Sequence, residues 1–321
     1  MNYLSMLITT ITILIISINQ ANADNIRLGW QKQWATQGQI TASLMEISSK
    51  QNNINIEFKG FALGPQVNQG ALAEQLDIAF LGDQPAIALL SKSPDWYIVG
   101  RLNYFRTCIA VPINSEINTL NSLENKSLNG GIGSSVQRLT IKMLEKDNID
   151  TNTIKFSHLL PNNQRALVET NLHSKKWKEF DGIFTFDPVA AILETENKIK
   201  IIQCGNASGV IVASKEMVKE RSNELEEFFK LMEQSWNFYN NNIETANNSF
   251  SEISKIKASH EAYKLAAQIE PNYKNKNITL ELTDQDIKNL KDASSFLIEN
   301  KIIDKAPDLK TRINQKAITI K

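Results

Sequence analysis

Short apolar runs of the kind that make buried strands alternate along this chain with stretches whose apolar residues recur every three or four positions, as in helices packed on a sheet. Ile26 to Trp30 reads as a strand, and Ile40, Leu44 and Ile47 mark the apolar face of the helix behind it. Ile54 to Phe61 is a second strand, Gly64-Pro65 opens a helix with proline at its first position, and Asp77 to Leu81 is a third strand. This alternation predicts an α/β fold with largely parallel sheets.

Two later runs, Arg106 to Val111 and Gly209 to Ala213, are β-rich and bracket another strand and helix series. They read as paired crossover strands. Residues 110–211 then form an inserted lobe, with Ile132, Phe156, Ile183-Phe184 and Ile199 to Ile202 in its strands, while 24–109 and 212–321 form the first lobe. From Met217 onward the pattern is helical, with Leu225, Phe228, Phe229, Met232 and Trp236, and again Ile287, Leu290, Ala293 and Leu297, spaced as the core faces of helices. The Lys- and Asn-rich stretches 237–248 and 272–277 read as solvated connections.

The chain begins differently. Residues 4–18 are apolar but too few for a comfortable membrane span, and Ala21-Asn22-Ala23 supplies a small-x-small cleavage site, so residues 1–23 read as a secretory signal peptide. Its first three residues lack the usual Lys or Arg. The mature chain is expected to begin near Asp24, free in the periplasm, since no cysteine sits at the cleavage site for lipid attachment.

The 321 residues, 42% hydrophobic and 22% charged, suffice for two compact lobes. Lys plus Arg and Asp plus Glu both count 35, so nucleic acid is not an expected partner and a small ligand is. Two cysteines and three histidines offer no metal spacing, and neither metal nor cofactor is expected. An oxidising compartment permits a bridge between Cys108 and Cys204, but spacing alone cannot bring their Cα atoms within the roughly 7 Å required. Two buried free thiols are expected.

The candidate chemistry lies where strands run into helices. In Gly82-Asp83-Gln84-Pro85 the glycine permits a tight turn, Asp83 or Gln84 can cap, and Pro85 suits a first helical turn. In Gly133-Ser134-Ser135 a serine can cap and also offer a hydroxyl to an anion without adding charge. Opening N–H groups and the helix dipole make each such end an anion site, and two in different lobes imply a cleft. Neither is a phosphate-binding P-loop, for no Gly-Lys-Ser/Thr follows. Asp187-Pro188 is a third helix start, where Asp187 is a cap or a receptor for a ligand ammonium. Gln31 and Trp34 follow the first strand, where open α/β sheets place ligands, and Tyr104 and Arg106 precede the first crossover.

Taken together and in this order, these segments resemble the periplasmic solute-binding proteins of ABC transporters for aliphatic sulfonates, taurine and nitrate. Ile26-Arg-Leu-Gly-Trp-Gln-Lys32 resembles that family's first strand, and Asp77-Ile-Ala-Phe-Leu-Gly-Asp-Gln-Pro-Ala86 its strand and helix start. Gly133-Ser-Ser-Val-Gln-Arg-Leu139 and Phe184-Thr-Phe-Asp-Pro188 are most similar to the sulfonate branch. The chain departs from it in a longer Lys-rich linker, Glu169 to Phe180, and in Phe184 where that branch often has tryptophan.

The resemblance implies a two-lobed, type II periplasmic binding protein joined by two crossover strands. It would be a monomer that closes on a small anionic or zwitterionic ligand and presents it to an inner-membrane permease. Nitrate and a thiamine pyrimidine are the alternative ligands. A desulfinase of the same fold uses a cysteine near its N-terminal cleft segment, whereas this chain has none before Cys108. His158, His173 and His260 have no recognisable triad partners, so catalysis is not expected.

Overall fold

The computed structural model describes residues 25–51 and 54–319; the expected leader and its cleavage site lie outside the described residues. Strand β1 (Ile26–Gln31), helix α1 (Ala35–Ser48), β2 (Ile56–Phe61), α2 (Gly64–Leu72), β3 (Ile78–Gly82) and α3 (Asp83–Lys92) alternate as the apolar pattern requires. The long strand β4 (Trp96–Pro112) leads out to β5 (Ser127–Gly130), α4 (Ser135–Lys146), β6 (Lys155–His158), α5 (Pro161–Glu169), β7 (Gly182–Phe186) and α6 (Val189–Thr195). Strand β8 (Ile199–Ser214) leads back. A helical tail follows, comprising α7 (Lys215–Lys219), α8 (Ser222–Asn241), α9 (Ile243–Ser254), α10 (His260–Ala267), α11 (Asp284–Glu299), α12 (Leu309–Arg312) and α13 (Lys316–Thr319).

All eight strands join one sheet in the order β2-β1-β3-β8-β4-β7-β5-β6. Pairing within β2-β1-β3 and within β7-β5-β6 is parallel, whereas β8 is antiparallel to β3 and β4, and β4 to β7. The result is two α/β lobes sharing a pair of crossover strands. Strands β4 and β8 pair along nearly their whole length, from Trp96 opposite Ser214 to Pro112 opposite Ile199. Between the two lobes, Tyr104–Arg106 and Asn206–Ser208 have only each other as sheet partners.

Several local expectations change. Ile132 lies past the end of β5 in an exposed turn, not in a strand, and Ile199 to Ile202 open the crossover β8 itself. Residues 237–248 are mostly helical: Trp236, Tyr239 and Ala246 are buried, Asn241, Asn242 and Asn248 are exposed, and Asn247 turns inward to accept the Gln39 side-chain N–H at 2.5 Å. The Lys-rich segment after α5 is pinned by Trp177, which is fully buried with Val168, Ile183 and Leu193.

The expectation of two free thiols is overturned. Cys108 and Cys204 are register partners on β4 and β8, with Cα atoms 4.1 Å apart, and form a disulfide. Their juxtaposition follows from the β4·β8 alignment, which no local pattern encodes.

Each lobe carries a buried carboxylate that ties its backbone together. Burial alone would raise the Asp77 carboxyl, but the Arg27 guanidinium and backbone N–H hold it below its ordinary value. Asp181 is likewise held down, against burial, by Lys176 and by the Ser127 N–H and hydroxyl. An unfolded aspartate titrates near about 3.9, so on acidification the unfolded chain takes up these protons first. Stability from both groups is therefore present above about pH 4 and lost as pH falls through the folded values. The urea midpoint is expected to drop between about pH 5 and 3, less so in Asp77→Asn; a midpoint flat over that range contradicts it.

Candidate functional site

Two helix starts face each other across the cleft, and glycine makes their approach possible. Gly82 is the N-cap of α3, and a Cβ there would lie 2.6 Å from the Ser135 hydroxyl of α4. The Gln84 N–H donates to Ser135 Oγ at 3.2 Å and to Asp83 Oδ1 at 2.7 Å. Gly133, with φ of +79°, turns the chain into α4, a conformation costly for any residue with a side chain.

Helix α4 opens without a side-chain cap. Neither serine takes the capping role the sequence offered it: Ser134 Oγ turns back to donate to the Gly131 carbonyl at 2.6 Å, and Ser135 Oγ accepts from the opposite lobe. The Gly133 N–H is held by Gln137 Oε1 at 2.8 Å. The first turn of α4 thus keeps its positive end at the cleft.

Ser134, Ser135 and Val136 line a cavity with Gln31, Trp34, Leu63, Gly64, Gly82, Pro85, Phe105 and Phe186. Its volume is about 20 Å³, room for one water and far below the roughly 300–1,000 Å³ of ligand pockets. An organic ligand therefore requires the lobes to part. Most of the wall is apolar, with Trp34 and Phe105 ring centroids 4.3 Å apart and Phe105 and Phe186 6.3 Å apart. Trp34 Nε1, on a side chain of this wall, is buried with no hydrogen-bond partner; Gln84 Oε1 is buried and unpartnered as well, but Gln84 is not among the residues that line the cavity. Gln31 is fixed at the end of β1, its N–H donating to Gln37 Oε1 at 2.5 Å.

The other residues read from sequence are engaged elsewhere. Asp83 is fully buried but turns to Arg138 and to the Ser208 N–H, outside the cavity wall. Tyr104 stacks beneath Arg101 and shares a hydrogen bond with Thr283. The Arg106 guanidinium grips Asp187 with two 3.1 Å bonds and Glu194 with one of 2.6 Å. Asp187 also caps α6 through the Ala191 N–H, and burial pushes its carboxyl up against the opposing pull of Arg106. The Asp187 carbonyl accepts the Ala35 N–H at 3.1 Å, so this turn meets the start of α1 by its backbone. Leu63, Phe105, Val136 and Phe186 escaped the sequence reading because apolar residues at strand and helix ends look like core. Among the described residues no group of His, Cys, Asp or Glu could hold a metal, and no helix is long and apolar enough to cross a membrane.

No family model matches the chain, and no curated protein matches it in sequence. Its similarity lies in solved structures. The alkanesulfonate-binding protein SsuA from Xanthomonas axonopodis pv. citri, bound to MOPS, superposes with a TM-score of 0.73 at 17% identity, over 91% of this chain and 99% of the other. The periplasmic aliphatic sulphonate binding protein SsuA from Escherichia coli does so with a TM-score of 0.73 at 16% identity, over 91% and 92%. This chain has the fold of the periplasmic binding proteins. The desulfurization enzyme DSZB shares that fold, with a TM-score of 0.64 at 12% identity over 91% of this chain and 97% of its own. A periplasmic-binding-protein fold is thus compatible with capture or catalysis, and the site must decide.

Proposed function

We propose that the chain is the periplasmic substrate-binding component of an ABC importer. It takes one small organosulfonate, an alkanesulfonate or taurine, into the cleft and passes it as a monomer to an inner-membrane permease. The observation that carries this reading is the uncapped start of α4 opening on an apolar wall with the unpartnered Trp34 Nε1–H beside it. Such a site offers donors to a singly charged anion and a dry surface to its organic tail. The solved structures of sulfonate-binding proteins favour the same ligand class. Capture without turnover is favoured by the cysteines, for the only two in the sequence are bonded to each other and supply no thiolate. The apolar wall disfavours the nitrate alternative, which has no tail to bury.

A thermal-shift panel of ethanesulfonate, taurine, nitrate, sulfate and a thiamine pyrimidine tests the reading. A ligand at 100 times its dissociation constant adds about 2.7 kcal/mol, which moves the melting midpoint by several degrees. The sulfonates are expected to shift it and Ser135→Trp to abolish the shift, with a cooperative melt of the unliganded variant, at a midpoint lowered by the overpacking, showing that it still folds. A response to nitrate with none to any sulfonate overturns the substrate class.

A further inference from the structure

We propose that Arg138 and Asp83 form an interlobe latch that governs closure and leaves ligand selectivity to the cavity wall. Arg138 rides on α4 in one lobe and Asp83 on α3 in the other; their side chains are 1% and 0% exposed, with Nη2 and Oδ2 2.6 Å apart. Neither lines the ligand cavity. Asp83 is prepared for this partner by contacts that do not depend on it: its Oδ1 accepts the Gln84 N–H, and its Oδ2 accepts the Ser208 N–H of β8 at 3.3 Å. Ser208 is held in turn by Asp286 at 2.6 Å and Asn289 at 2.8 Å. On the solvent side, Asp292 of α11 receives Lys142 at 3.1 Å and lies 3.8 Å from Arg138 Nη1. The first lobe thus presents an acidic socket, and α4 carries the cation that fits it.

When the lobes part, Arg138 leaves with α4 and both charges meet water. On closing, each is desolvated, and the other, at 2.6 Å, is the nearest opposite charge that offsets that cost. Loss of one partner leaves a lone buried charge that opposes closure, whereas loss of both removes the obstacle. The pair is therefore a checkpoint on closure more than a source of net stability.

The test needs no ligand. The Gln33 side chain accepts the Asn162 N–H at 3.3 Å across the cleft, so a short bismaleimide bridging Gln33→Cys and Asn162→Cys, with the native disulfide kept, links the lobes at a rate proportional to the closed population. Asp83→Asn and Arg138→Gln are each expected to slow linking at least about tenfold, equivalent to 1.4 kcal/mol, and the double variant to return to within a few-fold of the parent. Singles that link at the parent rate, or a double no faster than the slower single, overturn the latch. In parallel, each single variant is expected to weaken ethanesulfonate and taurine by the same factor; a loss confined to one of them overturns the latch by placing Asp83 or Arg138 on the ligand. A parent that binds neither sulfonate overturns the proposed function instead, and the linking rates still decide the latch.

Discussion

Cys108→Ala/Cys204→Ala is expected to lower the free energy of unfolding by about 2–5 kcal/mol. The bridge joins residues 96 apart and so closes a loop containing β5 to β7 and their helices. A loop near 100 residues loses conformational freedom worth about 4.7 kcal/mol in the unfolded chain, on the chain-entropy account. The effect is large against the 5–15 kcal/mol that typically separates folded from unfolded states. The bridge also sits beside Tyr104–Arg106 and Asn206–Ser208, where each crossover strand has only the other to hold its register. Trp177, buried in the inserted lobe, provides a fluorescence signal from the part of the chain the loop encloses. Urea unfolding of the oxidised parent, the reduced parent and the double variant measures the difference, with the reduced parent and the variant expected to agree. A loss under about 1 kcal/mol contradicts this account.

How far the fold could be read in advance follows from what is local. Strands β1 to β3 and the helices between them are written in residues next to one another: apolar runs, glycines where β2 and β3 run into their helices, at Gly64 and Gly82, and proline near the start of α2. The opposed starts at Gly82 and Ser134 were readable for the same reason, as were Gln31 and Trp34 just past a strand end. What failed depended on partners far along the chain. Arg138, between Val136 and Leu139 in an amphipathic helix, draws no reading of its own, since nothing near it in sequence marks it as buried; its buried partner is Asp83, 55 residues away. Arg106 and Asp187 each read as a possible ligand contact, yet 81 residues apart they satisfy one another. The cysteines paired for a similar reason, since only the β4·β8 register sets them opposite. Stretch 237–248 misled in the other direction, because its asparagines hide the spacing of Trp236, Tyr239 and Ala246.

Glu270→Ala is expected to cost about 3–5 kcal/mol, the penalty for stranding a buried charge. Arg101 and Glu270 are 1% and 0% exposed and meet through two bonds, of 2.6 and 3.0 Å. Desolvation works against the Arg101 charge, and the Glu270 and Asp286 carboxylates more than offset it, holding its proton more firmly than usual. The same carboxylate accepts the Tyr104 N–H at 2.6 Å and the Asn272 N–H at 2.9 Å, so truncation leaves backbone donors as well as a guanidinium without their acceptor. Asp286, 3.5 Å from Arg101, remains and keeps the loss finite. Arg101→Met/Glu270→Met is therefore expected to recover part of the loss, since removing both charges also removes the uncompensated one; a double variant less stable than Glu270→Ala in urea titration contradicts that reasoning. Asp286 also holds Ser208, whose N–H reaches Asp83. The Glu270→Ala change should thus loosen the acidic socket from behind and slow the Gln33→Cys/Asn162→Cys linking rate, although residue 270 touches neither the cavity nor the opposite lobe's Arg138.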